Sequence, residues 1–146
     1  MKRVHQGVIA LVALALLIQL VPVNRSNPPE AGPIQAPPEI AQVLATSCFD
    51  CHSHRTRWPW YASVAPVSWL VARDVSRARS ELNFSTWDAL PPGDQRGELI
   101  QLRRRIKKRE MPLPNYLRMH DEAVLTDSQR QLLQDWALAT AESIPL

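Results

Sequence analysis

The sequence predicts an all-α protein behind one N-terminal transmembrane helix, and three observations carry that expectation. No stretch alternates apolar and polar residues with a period of two for long enough to make a strand. Several stretches instead place apolar residues three and four apart, the spacing of a helix face. An uncharged run from Val4 to Asn24 follows the basic pair Lys2-Arg3. Composition agrees with a folded domain: of 146 residues, 45% are hydrophobic and 21% charged, an ordinary globular balance that excludes global disorder. The length leaves room for one domain. Seventeen Lys+Arg against 14 Asp+Glu give a net charge of +3, too small an excess to mark a nucleic-acid binder. Thirteen prolines against four glycines make the connections stiff, and two cysteines exclude a disulfide scaffold.

Residues 1–23 read as a membrane anchor. The centre from Val8 to Ile18 is apolar throughout, and Leu20 to Val23 extend it past Gln19, against about 20 residues needed to span a bilayer. A cleaved signal peptide is the alternative, but the bulky Val21-Pro22-Val23-Asn24-Arg25 offers no small-x-small cleavage site. Lys2 and Arg3 set the cytoplasmic end by the positive-inside bias. The expectation is a single-pass protein of a bacterial inner membrane with its domain facing the periplasm or cell exterior. Residues 24–38 hold five prolines and one glycine and read as an extended, polyproline-type linker that holds the domain off the membrane. Residues 39–146 are then the folded unit.

Within that unit, Ile40, Val43 and Leu44 mark a short amphipathic helix running into Cys48. Val67 to Leu82 form a second, with Trp69, Leu70, Val71 and Val75 apolar and Arg73, Arg77 and Arg79 exposed. Ser85 to Asp88 read as a turn or a short helix start. Leu99 to Lys108 form a third helix with Leu99, Ile100, Leu102 and Ile106 inward. The last helix begins at Thr126, with Gln129 three residues on as a capping box, and lines one face with Leu132, Leu133 and Trp136.

Cys48-Phe49-Asp50-Cys51-His52 is CxxCH, the attachment sequence of c-type haem. Two thiols three residues apart on one helical turn each reach a vinyl group of the porphyrin, and the histidine that follows sits under the ring as an iron ligand. A thioredoxin-like CxxC needs a βαβ setting that is missing here. A zinc site built on Cys48, Cys51 and His54 or His120 lacks the usual second ligand pair, and a disulfide closing so short a loop stabilises little. One covalently attached haem c is therefore expected.

For the other face of the iron the candidates are Met111, in the stiff loop Glu110-Met111-Pro112-Leu113-Pro114, and His120 as its rival. A third possibility is that no protein ligand binds there. Met119 reads as packing, and His54 as solvated or facing a propionate. Arg55, Arg57, Trp58, Trp60 and Tyr61 are candidates to wall the haem edge and meet its propionates, with plain core packing as the alternative. His52 is expected to donate its second N–H to a backbone carbonyl near Pro59 or Pro66. Arg103 to Arg109, six basic residues in seven, read either as a solvated helix face or as a docking patch for an acidic redox partner or anionic lipid headgroups. No nucleic-acid partner is expected outside the cytoplasm.

Cys48-Phe49-Asp50-Cys51-His52-Ser53, Pro59-Trp60-Tyr61, Pro66-Val67-Ser68, Asp74-Val75, Asn83-Phe84-Ser85 and Met111-Pro112-Leu113 occur in an order that resembles the bacterial haem-binding domain family related to cytochrome c. The resemblance runs from about Glu39 to Ala141. It implies a cytochrome c-like helical domain around a covalent haem, an electron-transfer role, and export or membrane anchoring. It also implies that Trp136 packs near Val43 and Leu44, as in class I cytochrome c. One departure is Ala78 before Arg79, where the family commonly has glycine. The expected function is a membrane-tethered electron carrier cycling Fe(II)/Fe(III) between unidentified redox partner proteins, and no catalytic residues are assigned. The alternatives are a haem-based sensor with an open or labile sixth position, or a small peroxidase using His120 and Arg118.

Overall fold

In the computed structural model, which describes residues 1–145, every regular element is a helix. Helix α1 (Lys2–Leu17) runs on through a 3-10 turn, Ile18–Leu20, and buries none of its residues. Lys2–Leu20 is long and apolar enough to cross a membrane. At 1.5 Å per residue its length is about 28 Å, close to the hydrocarbon thickness of a bilayer.

The proline-rich segment after it is extended, as its prolines require, but it does not stand away from the domain. Ala31 N–H donates to Ser85 O at 2.9 Å, Ile34 N–H to Phe84 O at 2.8 Å, and Asp88 N–H to Gly32 O at 3.0 Å. Gly32 has φ 74°, and a Cβ there would stand 2.6 Å from Asp88 Cβ, so both backbone and space require glycine. Ile34 packs against the core. The backbone groups between the prolines find partners on the 84–88 turn, which converts an expected spacer into a strap.

Helix α2 (Pro38–Ser47) begins with proline in its first turn and buries Ile40, Val43 and Leu44. A single turn, α3 (Phe49–His52), follows after Cys48 breaks the helical path. Helix α4 (Val67–Glu81) buries Ser68, Val75 and Ala78, a face with period near 3.5. Trp69 and Leu70 lie off that face and stay exposed. Helix α5 (Pro92–Lys107) starts seven residues before the expected Leu99, because its first two turns carry Gly93, Asp94, Gln95 and Gly97, which have no apolar periodicity to read. Ile100 points outward, while Leu99 and Ile106 are buried. Single-turn α6 (Pro114–Leu117) precedes α7 (Asp127–Ser143), whose capping box at Thr126 and Gln129 forms as expected. Short 3-10 turns lie at Trp60–Ser63, Phe84–Ala89 and Asp121–Ala123.

Two adjoining clusters make the core. One joins Ile40, Val43 and Leu44 of α2 to Phe84, Ile106, Leu125 and Leu133, with Trp136, Cys48 and Met111 packed against it. The other sets Trp87 and Leu99 against Ala137 and Ala141, small residues one turn apart that let α5 and α7 approach closely. Phe84 is almost fully buried, and truncating such an aromatic to alanine costs about 3–5 kcal/mol. Trp136 therefore meets the cluster of Val43 and Leu44, as the resemblance implied.

Candidate functional site

The site is built where α3, the end of α4 and the loop after α5 converge. Helix α5 stops in a tight C-terminal turn: Glu110 N–H reaches Arg105 O at 3.0 Å and Arg109 N–H reaches Ile106 O at 3.1 Å. Arg109 takes the left-handed conformation, φ 56°, where glycine is usual. This turn aims Met111 back towards α3. Cavities of about 320 Å³ and 400 Å³ adjoin there and share Cys48, His52, Glu81, Arg105, Ile106 and Met111. Cys51 lines the first. The two thiols, the imidazole and the thioether that sequence reasoning singled out thus meet at one place.

His52 is held through Nδ1, which donates to Leu82 O at 3.0 Å. The carbonyl expected near Pro59 or Pro66 is instead that of the first residue after α4, on which α3 packs. A proton fixed on Nδ1 leaves the ring's lone pair on Nε2. Burial lowers the His52 pKa, with the Leu82 carbonyl opposing the shift, so the imidazole is neutral at pH 7. Cys48 and Cys51 are free thiols. Burial pushes Cys48 up to about 12, helped by the neighbouring Cys51. Burial and the charges of Asp50 and Asp74 push Cys51 up to about 11.

Asp50, between the cysteines, is buried. It accepts from the Arg57 backbone at 2.9 Å, from Arg57 Nη2 at 2.8 Å and from Tyr116 Oη at 2.8 Å. Burial opposes its charge, but these hydrogen bonds outweigh it and hold the carboxyl below its usual range. Burial, then the Asp50 hydrogen bond, raises the Tyr116 pKa.

The remaining candidates fall elsewhere. Arg57 pairs with Asp50 and Arg55 with Glu30, the latter 2.6 Å away, and neither lines the cavity, whereas Arg77 and Arg105, paired with Glu81 and Glu110, do. Trp58 has its indole N–H buried without a partner, also outside the cavity, and Trp60 is 75% exposed. Tyr61 Oη donates to His120 Nε2 at 2.8 Å, and His120 Nδ1 donates to Glu122 at 3.1 Å. His120, stacked on Tyr116, therefore has both nitrogens engaged and does not line the cavity. His54 bridges Pro29 O and Asn83 at 3.0 and 2.8 Å. Met119 is exposed. In the basic run, Arg105 and Lys108 pair with Glu110 and Arg109 with Asp127.

Several residues escaped the sequence reading. Arg79, expected to be solvated, donates to Ser53 O, Ser26 O, Asn27 Oδ1 and Thr56 Oγ1, each within 2.8–2.9 Å. It ties α4 to the loop after His52 and to the strap. Ala78, one residue earlier, lines the cavity, which accounts for a small residue there. Arg77, Glu81 and Tyr116 also line it, and nothing local in the sequence marked them.

An all-helical domain with a cavity lined by two thiols, a neutral imidazole and a thioether has the donor set of a haem-binding protein. The family model described as haem-binding domain matches residues 13–139, and the chain belongs to that family. The match begins inside the N-terminal helix and includes the strap. No curated protein and no solved structure matches the chain.

Proposed function

We propose that this protein carries one covalently attached haem c in a cytochrome c-like domain and serves as an electron carrier. In this reading α1 tethers it by a single pass to a bacterial inner membrane, with residues 24–38 and the domain 39–146 on the periplasmic side. The observation that carries it is the Nδ1 hydrogen bond of His52 to Leu82 O, which leaves Nε2 as the iron ligand beside a cavity that Met111 shares. Cys48 and Cys51 would hold the haem through two thioethers, each exchanging a thiol S–H and a vinyl π bond for an S–C and a C–H bond, with no net oxidation. The bound haem supplies a one-electron Fe(II)/Fe(III) couple.

Met111 would be the second protein ligand to the haem iron, and His/Met ligation raises the potential. His120 is a poor rival, since Tyr61 and Glu122 occupy both ring nitrogens. The same engagement weakens the peroxidase reading, which needs a distal base over an open iron. Arg77 and Arg105, which line the cavity, replace Arg55 and Arg57 as partners for the propionates. Electrons pass to and from partner proteins through a weak, transient contact. The exposed part of the basic run from Arg103 to Arg109 is a surface for an acidic one.

The test is to express the full chain with c-type haem maturation and ask whether haem stays on the polypeptide through acid–acetone extraction. A retained haem whose reduced spectrum is unmoved by carbon monoxide supports the carrier. Extractable haem removes covalent attachment, and prompt carbon monoxide binding moves the sensor reading ahead.

A further inference from the structure

We propose that the face made by Trp60, Val64, Val67 and Leu70 rests in the headgroup region of the bilayer that α1 crosses, holding the haem-binding domain in one orientation. The inference relies on the reading of α1 as a membrane span and adds a second membrane contact, made by the domain itself.

Five large apolar side chains within eleven residues are left on the surface here, Trp69 beside the four that make the face. Trp60 is 75% exposed, Val64 44%, Val67 41% and Leu70 51%. Val67 and Leu70 are three apart on the first turn of α4 and share its outer side; Trp60 opens the 3-10 turn that leads into it, and Val64 follows that turn. A soluble surface gathers such side chains only where something covers them.

What covers them is indicated by where α1 ends. Gln19, in the turn that closes the apolar helix, accepts from Ala65 N–H at 2.9 Å and donates to Ala65 O at 3.2 Å. Arg25, the first charge after the apolar run, donates to Ser63 Oγ. The point at which the chain leaves the membrane is therefore bonded to the middle of the exposed apolar loop, at the same depth. Lipid headgroups are present there as soon as α1 spans. Trp60 has the amphipathic ring that concentrates at membrane–water interfaces. Arg25 and Arg73, the latter three residues beyond Leu70, supply cations for phosphate groups.

The contact also sets the height of the site. Arg77 and Glu81, which line the cavity, lie seven and eleven residues beyond Leu70 on the same helix. At 1.5 Å per residue that is about 10–16 Å along α4, which keeps the cavity near the membrane and within reach of a redox partner embedded in it.

The test uses the full chain in phospholipid vesicles, with p-benzoylphenylalanine placed in turn at Trp60, at Leu70 and at Asp135, an exposed position on α7. After irradiation, adducts are identified by mass spectrometry. Lipid adducts at positions 60 and 70 and none at 135 are expected. A Val67→Asp/Leu70→Asp variant, altered only at exposed side chains, is expected to lose the adduct at position 60 while keeping the spectrum of the haem-loaded protein. If the chain floats with the vesicles but gives no lipid adduct, or is linked there to a second copy of itself, the resting face is wrong and the anchor stands. If the chain does not float with vesicles at all, the anchor reading fails and takes the inference with it.

Discussion

Tyr116 Oη donates a 2.8 Å hydrogen bond to Asp50 Oδ2, joining the loop that presents Met111 to the turn that carries both cysteines. The two residues are 66 positions apart, and their bond brings the two sides of the cavity into one register. Asp50 also holds Arg57 through its backbone N–H, Nε and Nη2, so the buried carboxylate has four donors and no uncompensated charge.

Removing the phenol tests that register. Tyr116→Phe keeps the ring's stacking on His120 and leaves Asp50 to Arg57 alone. A hydrogen bond to a charged group is worth about 1.5–3 kcal/mol. The variant is expected to lose an amount near the low end of that range in denaturant unfolding of the haem-loaded protein. Weakened thioether–iron absorption should accompany the loss. A variant with wild-type stability and spectrum would show that the bond positions nothing.

The axial assignment separates by substitution. Met111→Ala is expected to open the sixth position, admit carbon monoxide to the reduced protein and lower the reduction potential, since the thioether is what raises it. His120→Ala should leave all three unchanged, because its nitrogens serve Tyr61 and Glu122. The opposite pattern would exchange the two ligands.

Arg79 predicts a different kind of loss. Its guanidinium spans four acceptors on two segments, a geometry that an ammonium does not reproduce. Arg79→Lys should therefore behave much like Arg79→Ala. Both are expected to speed amide exchange across residues 26–34, with a cost of about 1–3 kcal/mol for each buried acceptor left unpaired. Recovery of wild-type exchange in the lysine variant would show that charge alone matters.

Gly32→Ala attacks the same strap from the backbone. The positive φ and the close approach to Asp88 make the substitution strained, by more than the ~1 kcal/mol that an unstrained exchange would gain. Faster exchange at Ala31 and Ile34, whose N–H groups bond the 84–85 turn, is the expected readout. Unchanged exchange at those two amides would show that the turn tolerates a side chain.

The strap should also respond to acid. The hydrogen bond from Arg55 holds Glu30 below its usual carboxyl range; burial opposes the shift, while Ser85 and the nearby His54 reinforce it. A depressed folded-state pKa contributes stability that is fully present above the unfolded value of 4.5 and is lost as pH falls through the lowered value. Protection factors across residues 28–34, with the intrinsic pH dependence of amide exchange divided out, are expected to be flat from pH 7 to about pH 5 and to fall below it. Glu30→Gln should abolish that dependence; if the acid response survives in the variant, another group is responsible.

Much was legible in the sequence because it rests on local chemistry. Helix periodicity depends on neighbours three and four residues apart, and Thr126-x-x-Gln129 satisfies its own backbone donors; both appeared where expected. The length and apolarity of Lys2–Leu20 are properties of the segment alone. Cys48, Cys51 and His52 are fixed to one another by a single helical turn, so their grouping could be read without a fold. Where periodicity was lost, at Gly93 to Gly97, the start of α5 was lost with it.

Only the tertiary structure decided which partners those local units meet. The proline-rich stretch has the composition of a free linker, and its docking depends on the 84–88 turn, more than 50 positions away. Arg55, Arg57 and Arg79 are equally basic near the motif, yet packing assigns the first two to Glu30 and Asp50 and makes the third a staple. Met111 and His120 are both competent ligands by chemistry; what separates them is the turn after α5, which brings one to the cavity and leaves the other with Tyr61. Residue type limits the bonds that a side chain is able to make, but the distance between remote segments determines which of them it makes, and that distance exists only once α2, α4, α5 and α7 have packed.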